Sequence, residues 1–210
     1  MINELIERYP QLMAIRDELE AASSLMLKTV KDGGKILLCG NGGSCADCDH
    51  IVGELMKGFL SKREVGEEFA DTLKNANPDE AEYLSKNLQG AIPAISLPSQ
   101  SAVLSAFAND VAPDMVYAQL VYGYGNKGDL LIGISTSGNS KNVVNAVKIA
   151  KAKGLYTLAL TGQMSCKLDM CDVTIKAPET ETFKVQEYHL PIYHYLCANI
   201  EKELYSLNNE

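Results

Sequence analysis

The sequence predicts an α/β protein built on a doubly wound, five-stranded parallel sheet. Short apolar runs of strand length alternate along the chain with longer segments whose apolar residues recur at helical spacing, which is the pattern of such sheets. Two of the apolar runs, at 34–40 and 130–134, pass directly into polar turns rich in glycine and serine. Because ligands of doubly wound folds bind beyond the carboxyl ends of strands, these turns are candidates for a binding site.

Size and charge limit the class of protein. A chain of 210 residues is long enough for one α/β domain with helical additions and short for two. The 27 acidic and 19 basic residues give a formal charge of −8, which argues against nucleic-acid or membrane-surface partners without excluding a local basic patch. No apolar run approaches the roughly 18 residues that cross a bilayer, and the first residues lack the layout of a signal peptide. We therefore expect a cytoplasmic protein.

The six cysteines form no regular framework, so in a reducing compartment we expect free thiols. Cys45 and Cys48 form a CxxC pair at a predicted helix N-terminus, where such a pair can be redox-active or bind a metal. No thioredoxin-like surroundings and no second CxxC accompany it. The favoured interpretation is two small buried residues.

The first 32 residues are predicted to form a helical extension, ahead of an α/β domain at 33–210. Apolar residues recur at helical spacing from Ile2 to Lys31, with an interruption near Pro10, so one long helix or two are predicted. An amphipathic helix in this position often packs on a second subunit. We therefore expect a homo-oligomer, the alternative being that the helix covers its own sheet.

The first strand, at 34–40, runs into the turn Asn41-Gly-Gly-Ser44, and a helix is predicted from Cys45 to about Phe59 with Ser44 as its N-cap. His50 and Glu54 lie on this helix at i and i+4, which puts both side chains on one face. Such a pair can bind a metal or transfer protons. A surface hydrogen bond between the two is the alternative.

Residues 60–90 form a charged and polar insertion between the first two strands, with a short helix predicted from Asn77 to about Leu88. It can cover a site or a subunit boundary, or be a solvated excursion. A second strand is predicted at 91–97. Helices at 99–108 and 113–122 follow, separated by a polar turn at Asn109–Asp110.

The third strand, at 130–134, is followed by Ser-Thr-Ser-Gly-Asn-Ser at 135–140 and by a helix at 141–153 that Gly154 ends. Free N–H groups and the positive dipole end of the helix, together with the hydroxyls of this turn, suit a phosphate group. The turn is neither a Walker loop nor a GxGxxG fingerprint. An ordinary serine-rich helix cap is the alternative.

Two further strands are predicted at 156–160 and 172–176, the first followed by a turn at Thr161–Gly162. The last helix is predicted from Thr182 to Tyr205. Gln186 and His194 are eight residues apart on it and face the same side, and Pro191 is expected to kink the helix between them. This helix therefore presents a second set of polar side chains.

Three motifs in order give the chain a specific resemblance: Cys39-Gly-Asn-Gly-Gly-Ser44 with Asp47 and His50-x-x-x-Glu54, then Gly-Ile-Ser-Thr-Ser-Gly-Asn-Ser140, then Gln186-Glu-x-His189 with His194. Together they resemble the phosphoheptose isomerase family of sugar isomerase (SIS) domain proteins, over nearly the whole chain apart from the insertion. The resemblance implies a flavodoxin-like SIS fold and a dimer or tetramer. It also implies conversion of sedoheptulose 7-phosphate to D-glycero-D-manno-heptose 7-phosphate through an enediolate.

The resemblance also implies roles for particular residues. Zinc, one ion per subunit, would be held by His50, Glu54, Gln186 and His194, and Glu54 and His194 would be catalytic base and acid. A residue that binds the metal cannot at the same time be a free proton carrier, and the sequence leaves this conflict open. The residues implied to contact the sugar phosphate are Asn41, Gly42, Gly43, Ser44, Asp110, Ser135, Thr136, Ser137, Ser140 and Gln186.

Two departures from the family pattern concern the substrate. Met56-Lys57-Gly58 stands where the family commonly has an arginine, so a phosphate or hydroxyl contact is lost or is made by Lys57. Phe183 stands where an acidic residue is usual. The alternatives are an isomerase of another sugar phosphate and a non-catalytic SIS protein that senses phosphosugars or associates with a replication initiator.

Overall fold

The computed structural model describes residues 1–205, so the last five residues of the predicted domain lie outside the described part. Its strands are β1 (Ile36–Gly40), β2 (Ala94–Ser96), β3 (Leu130–Ile134), β4 (Tyr156–Gly162) and β5 (Val173–Ala177). They form one parallel sheet in the order β2-β1-β3-β4-β5. The predicted doubly wound, flavodoxin-like sheet is confirmed, and the strand order reverses between the neighbours β1 and β3.

The helices precede the sheet, connect its strands and follow its last strand. They are α1 (Ile2–Arg8), α2 (Arg16–Lys31), α3 (Gly43–Met56), α4 (Glu67–Ala76), α5 (Ala81–Asn87), α6 (Ser101–Asp110), α7 (Val116–Tyr124), α8 (Lys141–Ala152) and α9 (Thr182–Tyr205). Short 3-10 segments lie at 10–15, 97–99, 113–115 and 167–170. Within residues 1–205, none of the helices has the length and apolar character that crossing a bilayer requires.

Two hydrophobic clusters cover the two faces of the sheet. Side chains alternate along a strand, so Ile36 and Leu38 of β1 pack in the cluster that contains α2, α3 and α9. Leu37 and Cys39 pack in the other cluster, which contains α7 and α8. Both α3 and α9 are thereby held on the same face of the sheet.

The N-terminal extension covers its own sheet. Pro10 begins the 3-10 segment that separates α1 from α2, as its interruption of the helical pattern predicts. Leu12, Leu19 and Met26 are buried in the same cluster as the β1 side chains. The amphipathic pattern of these helices is thus accounted for within one chain, and it gives no argument for a second subunit.

Three local predictions are wrong. Ser44 is not an N-cap, because Gly42 adopts a left-handed φ of +57° and turns the chain so that α3 begins at Gly43. The Thr161–Gly162 pair is not a turn, because both residues pair with β5 and extend β4. Asn109–Asp110 is not a turn but belongs to the last turn of α6, which ends at Asp110.

The insertion at 60–90 contains two helices, α4 and α5, of which the sequence predicted only the second. No residue of α4 is buried, and Ala81 is the buried residue of α5. Most of the side chains of α4 and α5 therefore contact solvent within one chain, which is compatible with a solvated excursion and with a cover at a subunit boundary.

Candidate active site

The segment 135–140, here called the serine loop, connects β3 to α8 at the carboxyl edge of the sheet. Gly138 has a φ of +62°, which glycine adopts without strain. Its N–H donates to Ser135 O at 2.9 Å, and the N–H of Asn139 donates to Ser137 Oγ at 3.2 Å. The hydroxyls of Ser135 and Ser140 lie 3.0 Å apart. Together these bonds hold the hydroxyls in a compact turn at the N-terminus of a helix, an arrangement that accepts anions.

The second polar turn, Asn41–Gly43, lies beside the serine loop because β1 and β3 are adjacent. The amides of Asn41 and Asn142 exchange two hydrogen bonds of 2.9 Å each, joining the end of β1 to the first turn of α8. The hydroxyl of Tyr117 donates to Gly40 O at 2.7 Å. Sequence reasoning missed Asn142 and Tyr117, since neither belongs to a motif. Both predicted turns thus meet at the switch point of the sheet.

Helix α9 contacts the start of α3 through Gln186. A Cβ atom on Gly43 would lie 2.5 Å from Gln186 Nε2, so the absence of a side chain at this position lets the amide approach the helix. Ser44 is buried, and its Cβ would lie 2.9 Å from a Cβ on Gly40. Among the predicted phosphate contacts, Ser44 therefore faces the protein interior, while Gln186 lies beside the polar turn.

A second group of polar side chains, here called the His–Glu face, consists of His50 and Glu54 on α3 and His194 on α9. His50 Nε2 is 3.4 Å from Glu54 Oε1 and 3.4 Å from His194 Nε2. The face lies about two helical turns, or ~10 Å, along α3 from Gly43. A cleft of about 420 Å³ opens beside His194, between α1, the segment 59–60 and α9. The structure brings together three of the four residues predicted to hold a metal, and the fourth, Gln186, lies beside Gly43.

Tyr193 and Asp47 orient His50, and sequence reasoning assigned neither of them a role. The hydroxyl of Tyr193 donates to Asp47 Oδ1 at 3.4 Å and lies 3.0 Å from His50 Nδ1. With its proton directed at Asp47, the phenol oxygen accepts the Nδ1–H of His50, and Nε2 then presents a lone pair to Glu54. A lone pair opposite a carboxylate calls for a proton or a cation between them.

Burial and neighbouring groups shift the pKa values of this region. Burial, followed by the His50 ring, lowers the pKa of His194, so its imidazole is neutral at pH 7. Burial raises the pKa of Asp47, against the opposing hydrogen bond from Tyr193. His189, one turn before Tyr193, is fully buried, and burial lowers its pKa to about 4 while its Nε2 lies 3.3 Å from Thr161 O. His189 is therefore a neutral, structural histidine that joins α9 to β4.

The donor set of the His–Glu face is of the type that zinc binds, two imidazoles and a carboxylate. Two separations of 3.4 Å equal the edge of a tetrahedron with ligand bonds of about 2.1 Å. These two separations do not make a complete metal group, since no three His, Cys, Asp or Glu side chains within residues 1–205 are spaced as one. The residues fit zinc in type and in two separations.

Two predicted contacts differ from expectation. Asp110 is exposed at the end of α6, where it accepts a hydrogen bond from Asn109, and no bond joins it to either polar group in the part of the chain that the structure describes. The ammonium of Lys57 lies 3.2 Å from Glu54 Oε2 and 3.3 Å from Gly58 O. Lys57 therefore contacts the candidate base instead of the serine loop.

The cysteines are free thiols within the described chain. Cys48 is buried and Cys45 partly exposed, and burial raises the pKa of both thiols. A raised pKa disfavours the thiolate that redox and metal chemistry use. Cys48 is thus a small buried residue, as the favoured interpretation predicts, whereas Cys45 is partly exposed.

Comparison with known proteins gives matches over most of the chain. The SIS domain model matches residues 2–91 and 81–162. A phosphoheptose isomerase of Aliarcobacter butzleri is 37% identical over 191 residues, which cover 90% of this chain and 87% of the relative. The solved phosphoheptose isomerase GmhA of Neisseria gonorrhoeae superposes with a TM-score of 0.74 at 31% identity, covering 95% and 94% of the two chains. A phosphoheptose isomerase from Francisella tularensis gives 0.73 at 26% identity, with the same coverage.

Proposed function

Because the chain belongs to the SIS domain family and, within it, to the phosphoheptose isomerases, we propose that it is an aldose–ketose isomerase that converts sedoheptulose 7-phosphate to D-glycero-D-manno-heptose 7-phosphate. The observation that carries this proposal is the convergence of His50, Glu54 and His194 from two helices on the same protein that bears the serine loop. Isomerisation of a sugar phosphate needs both an anion site and a pair of proton-transfer groups.

We assign phosphate binding to the serine loop and the turn beside it. The hydroxyls of Ser135, Thr136, Ser137 and Ser140 and the N–H groups at the start of α8 would donate to the phosphate oxygens. Asn41, Gly42, Gly43, Ser44 and Gln186 form the adjoining wall in this proposal, although Ser44 would act through its backbone because its side chain is buried. A heptose 7-phosphate reacts at C1 and C2, far from its phosphate, so anchor and proton-transfer groups must be separate.

We assign proton transfer to the His–Glu face. Glu54 would remove the proton from C1 of the ketose, which gives an enediolate. The hydroxyl proton of O1 would pass to O2, and the protonated carboxyl of Glu54 would deliver a proton to C2 to give the aldose. His194, whose lowered pKa keeps it neutral, would donate a hydrogen bond to the sugar oxygen that gains charge. His50 would hold Glu54 in place through the 3.4 Å contact when a proton or a cation lies between them.

We propose zinc as the cofactor, with His50, Glu54, Gln186 and His194 as the residues that would hold it. Glu54 would carry the proton only while it is not a ligand, and Gln186 lies beside Gly43, apart from the other three residues. When bound, the ion would polarise the sugar carbonyl. The donor types and the two 3.4 Å separations support this assignment. Within residues 1–205 the side chains are not spaced as a complete metal site. Metal analysis of protein purified without chelator tests it: one zinc per chain, lost from the His50→Ala variant, is expected. Absence of zinc from both proteins would contradict it.

The decisive experiment is isomerisation in deuterated water. The purified protein is incubated with sedoheptulose 7-phosphate, beside Glu54→Gln and a matched exposed control on α9, Glu203→Gln. We expect the aldose product with solvent deuterium at C2 from the wild type and the control, and a loss of at least about 100-fold in Glu54→Gln. A chelator arm decides whether the metal is required.

A wild type that binds the sugar phosphate without product or exchange would contradict the proposed reaction. It would favour another sugar phosphate as substrate or a sensing role. The sensing and initiator-associating alternatives are otherwise not favoured, because the relatives that match over most of the chain are named as isomerases.

We also propose a cytoplasmic homotetramer or dimer without nucleic-acid or membrane partners, with residues 1–32 as a helical extension of a SIS domain at 33–210. The net charge of −8 supports the part of this proposal that excludes nucleic acid as a partner. Light scattering coupled to gel filtration tests the assembly. A single species at the mass of one chain would contradict it.

A further inference from the structure

Glu201, on α9, holds a buried carboxylate that no motif of the sequence singled out. Its residue is 1% exposed. Its two oxygens accept the backbone N–H groups of Phe59 at 2.8 Å, Leu60 at 2.7 Å and Ser61 at 3.1 Å. Burial by itself raises the pKa of this carboxyl, but these N–H groups and a neighbouring guanidinium hold it below its usual range. Glu201 therefore fixes the chain that leaves α3.

The guanidinium belongs to Arg63, which is fully buried. Its Nε donates to Glu201 Oε1 at 2.7 Å, its Nη1 to Leu55 O at 2.5 Å and its Nη2 to Glu54 O at 2.9 Å. The last carbonyls of a helix have no partner within it, and α3 has no basic residue in its own last turn. One side chain therefore caps the C-terminus of α3 and pairs with α9.

The Arg63–Glu201 pair is bonded to a residue of the His–Glu face and shares a helix with another. Arg63 binds the carbonyl of Glu54 itself, and Glu201 follows His194 by seven residues, two turns along the same side of α9. A buried ion pair is often no more stabilising than apolar residues of similar size. Stability alone is therefore a weak explanation for a pair whose guanidinium caps α3 and whose carboxylate belongs to α9.

We infer that Arg63 and Glu201 are positioning residues for proton transfer, which fix the distance and angle between Glu54 on α3 and His194 on α9. The inference rests on the proposed function. Neither residue contacts the substrate in this account. Their effect belongs in kcat and not in substrate binding, because the serine loop lies at the other end of α3.

The chain contains a matched control at the opposite edge of the sheet. Asp129 is 4% exposed and pairs with Lys35, whose Nζ lies 2.5 Å from Asp129 Oδ2. It also accepts the backbone N–H groups of Lys35 at 2.9 Å and Asn126 at 2.7 Å. Like Glu201 it is a buried carboxylate bonded to backbone and to one cation, but it touches neither α3 nor α9.

The experiment compares Glu201→Gln, Arg63→Lys and Asp129→Asn by kcat, KM and thermal unfolding, at a temperature where each is folded. We expect Glu201→Gln and Arg63→Lys to lower kcat about 30-fold with KM changed less than threefold, since small displacements of a catalytic group have effects of this order. Asp129→Asn should lose a comparable amount of Tm and keep kcat within twofold.

A double variant, Arg63→Met with Glu201→Gln, separates positioning from stability. It leaves no unpaired buried charge, so we expect its Tm to return towards that of the wild type while kcat stays low. Recovery of kcat together with Tm would overturn the inference, as would unchanged kcat in Arg63→Lys. An inactive wild type would overturn both this inference and the proposed function, whereas an active wild type with active variants would overturn this inference alone.

Discussion

The serine loop and the His–Glu face are assembled in different ways. The serine loop contains bonds between residues at most five positions apart, such as Gly138 to Ser135 and Ser135 to Ser140. Further bonds join it to residues at most 30 positions away, such as Leu168 N–H to Gly138 O. In the His–Glu face, His50 and His194 meet across 144 positions. The loop depends mainly on its own residues and on segments that follow soon after it, whereas the face exists only as long as two helices distant in the sequence keep their relative position.

Because of this difference, we expect mutations in the two regions to affect different steps of the reaction. A change in the serine loop should alter the binding of the phosphate and leave the chemical step. A change in the contacts between α3 and α9 should alter the chemical step and leave binding. KM and kcat therefore report on the two regions separately.

The largest expected effect is in the loop. Gly138→Ala places a side chain at a φ of +62°, with its Cβ against Cys166 Sγ and only 3.3 Å from Thr161 Cγ2. We expect kcat/KM to fall about 100-fold, mostly through KM, in initial-rate measurements with the sugar phosphate, because the loop must move to relieve the clash. Gly154→Ala, also at a positive φ but at the end of α8, is the matched control and should lose stability without loss of affinity.

A second prediction concerns His189, the buried residue that joins α9 to β4. The folded pKa of His189 is about 4, against an unfolded value near 6.5, so the unfolded state takes up the proton first and stability is lost as pH falls below about 6.5. Between pH 6.5 and 5 the free energy of unfolding should fall by about 2 kcal/mol from this residue alone. Denaturant unfolding at several pH values checks this, and an identical slope in His189→Gln would contradict it.

The smallest effect is expected within the His–Glu face. Tyr193→Phe removes the hydroxyl 3.0 Å from His50 Nδ1, and we expect kcat about tenfold lower with KM unchanged, the order of one hydrogen bond to an oriented group. Steady-state kinetics measure both constants. Tyr188→Phe on the same helix should match the wild type. A change confined to KM in Tyr193→Phe would show that the two regions are not separable.

The same contrast explains what could be predicted from the sequence. The alternation of strands with helices and the serine loop follow from periodicity and local composition, and the pairing of His50 with Glu54 follows from helical geometry. The start of α3 was misplaced because a positive φ at Gly42 has no signature in polarity. The Arg63–Glu201 pair joins residues 138 positions apart. Such contacts depend on the tertiary packing of two helices, which spacing along the chain does not encode.

The base of the insertion at 60–90 is closed by its own bonds. Gly90 N–H donates to Arg63 O at 2.8 Å, and Gly58 N–H donates to Gln89 Oε1 at 2.7 Å, so the chain leaves and re-enters the domain through one point. The entropy of bringing these ends together grows only slowly with the number of residues between them. Residues can therefore be added, exchanged or removed between Arg63 and Gly90 at a small cost in loop-closure entropy, while the fold of the rest of the domain stays the same.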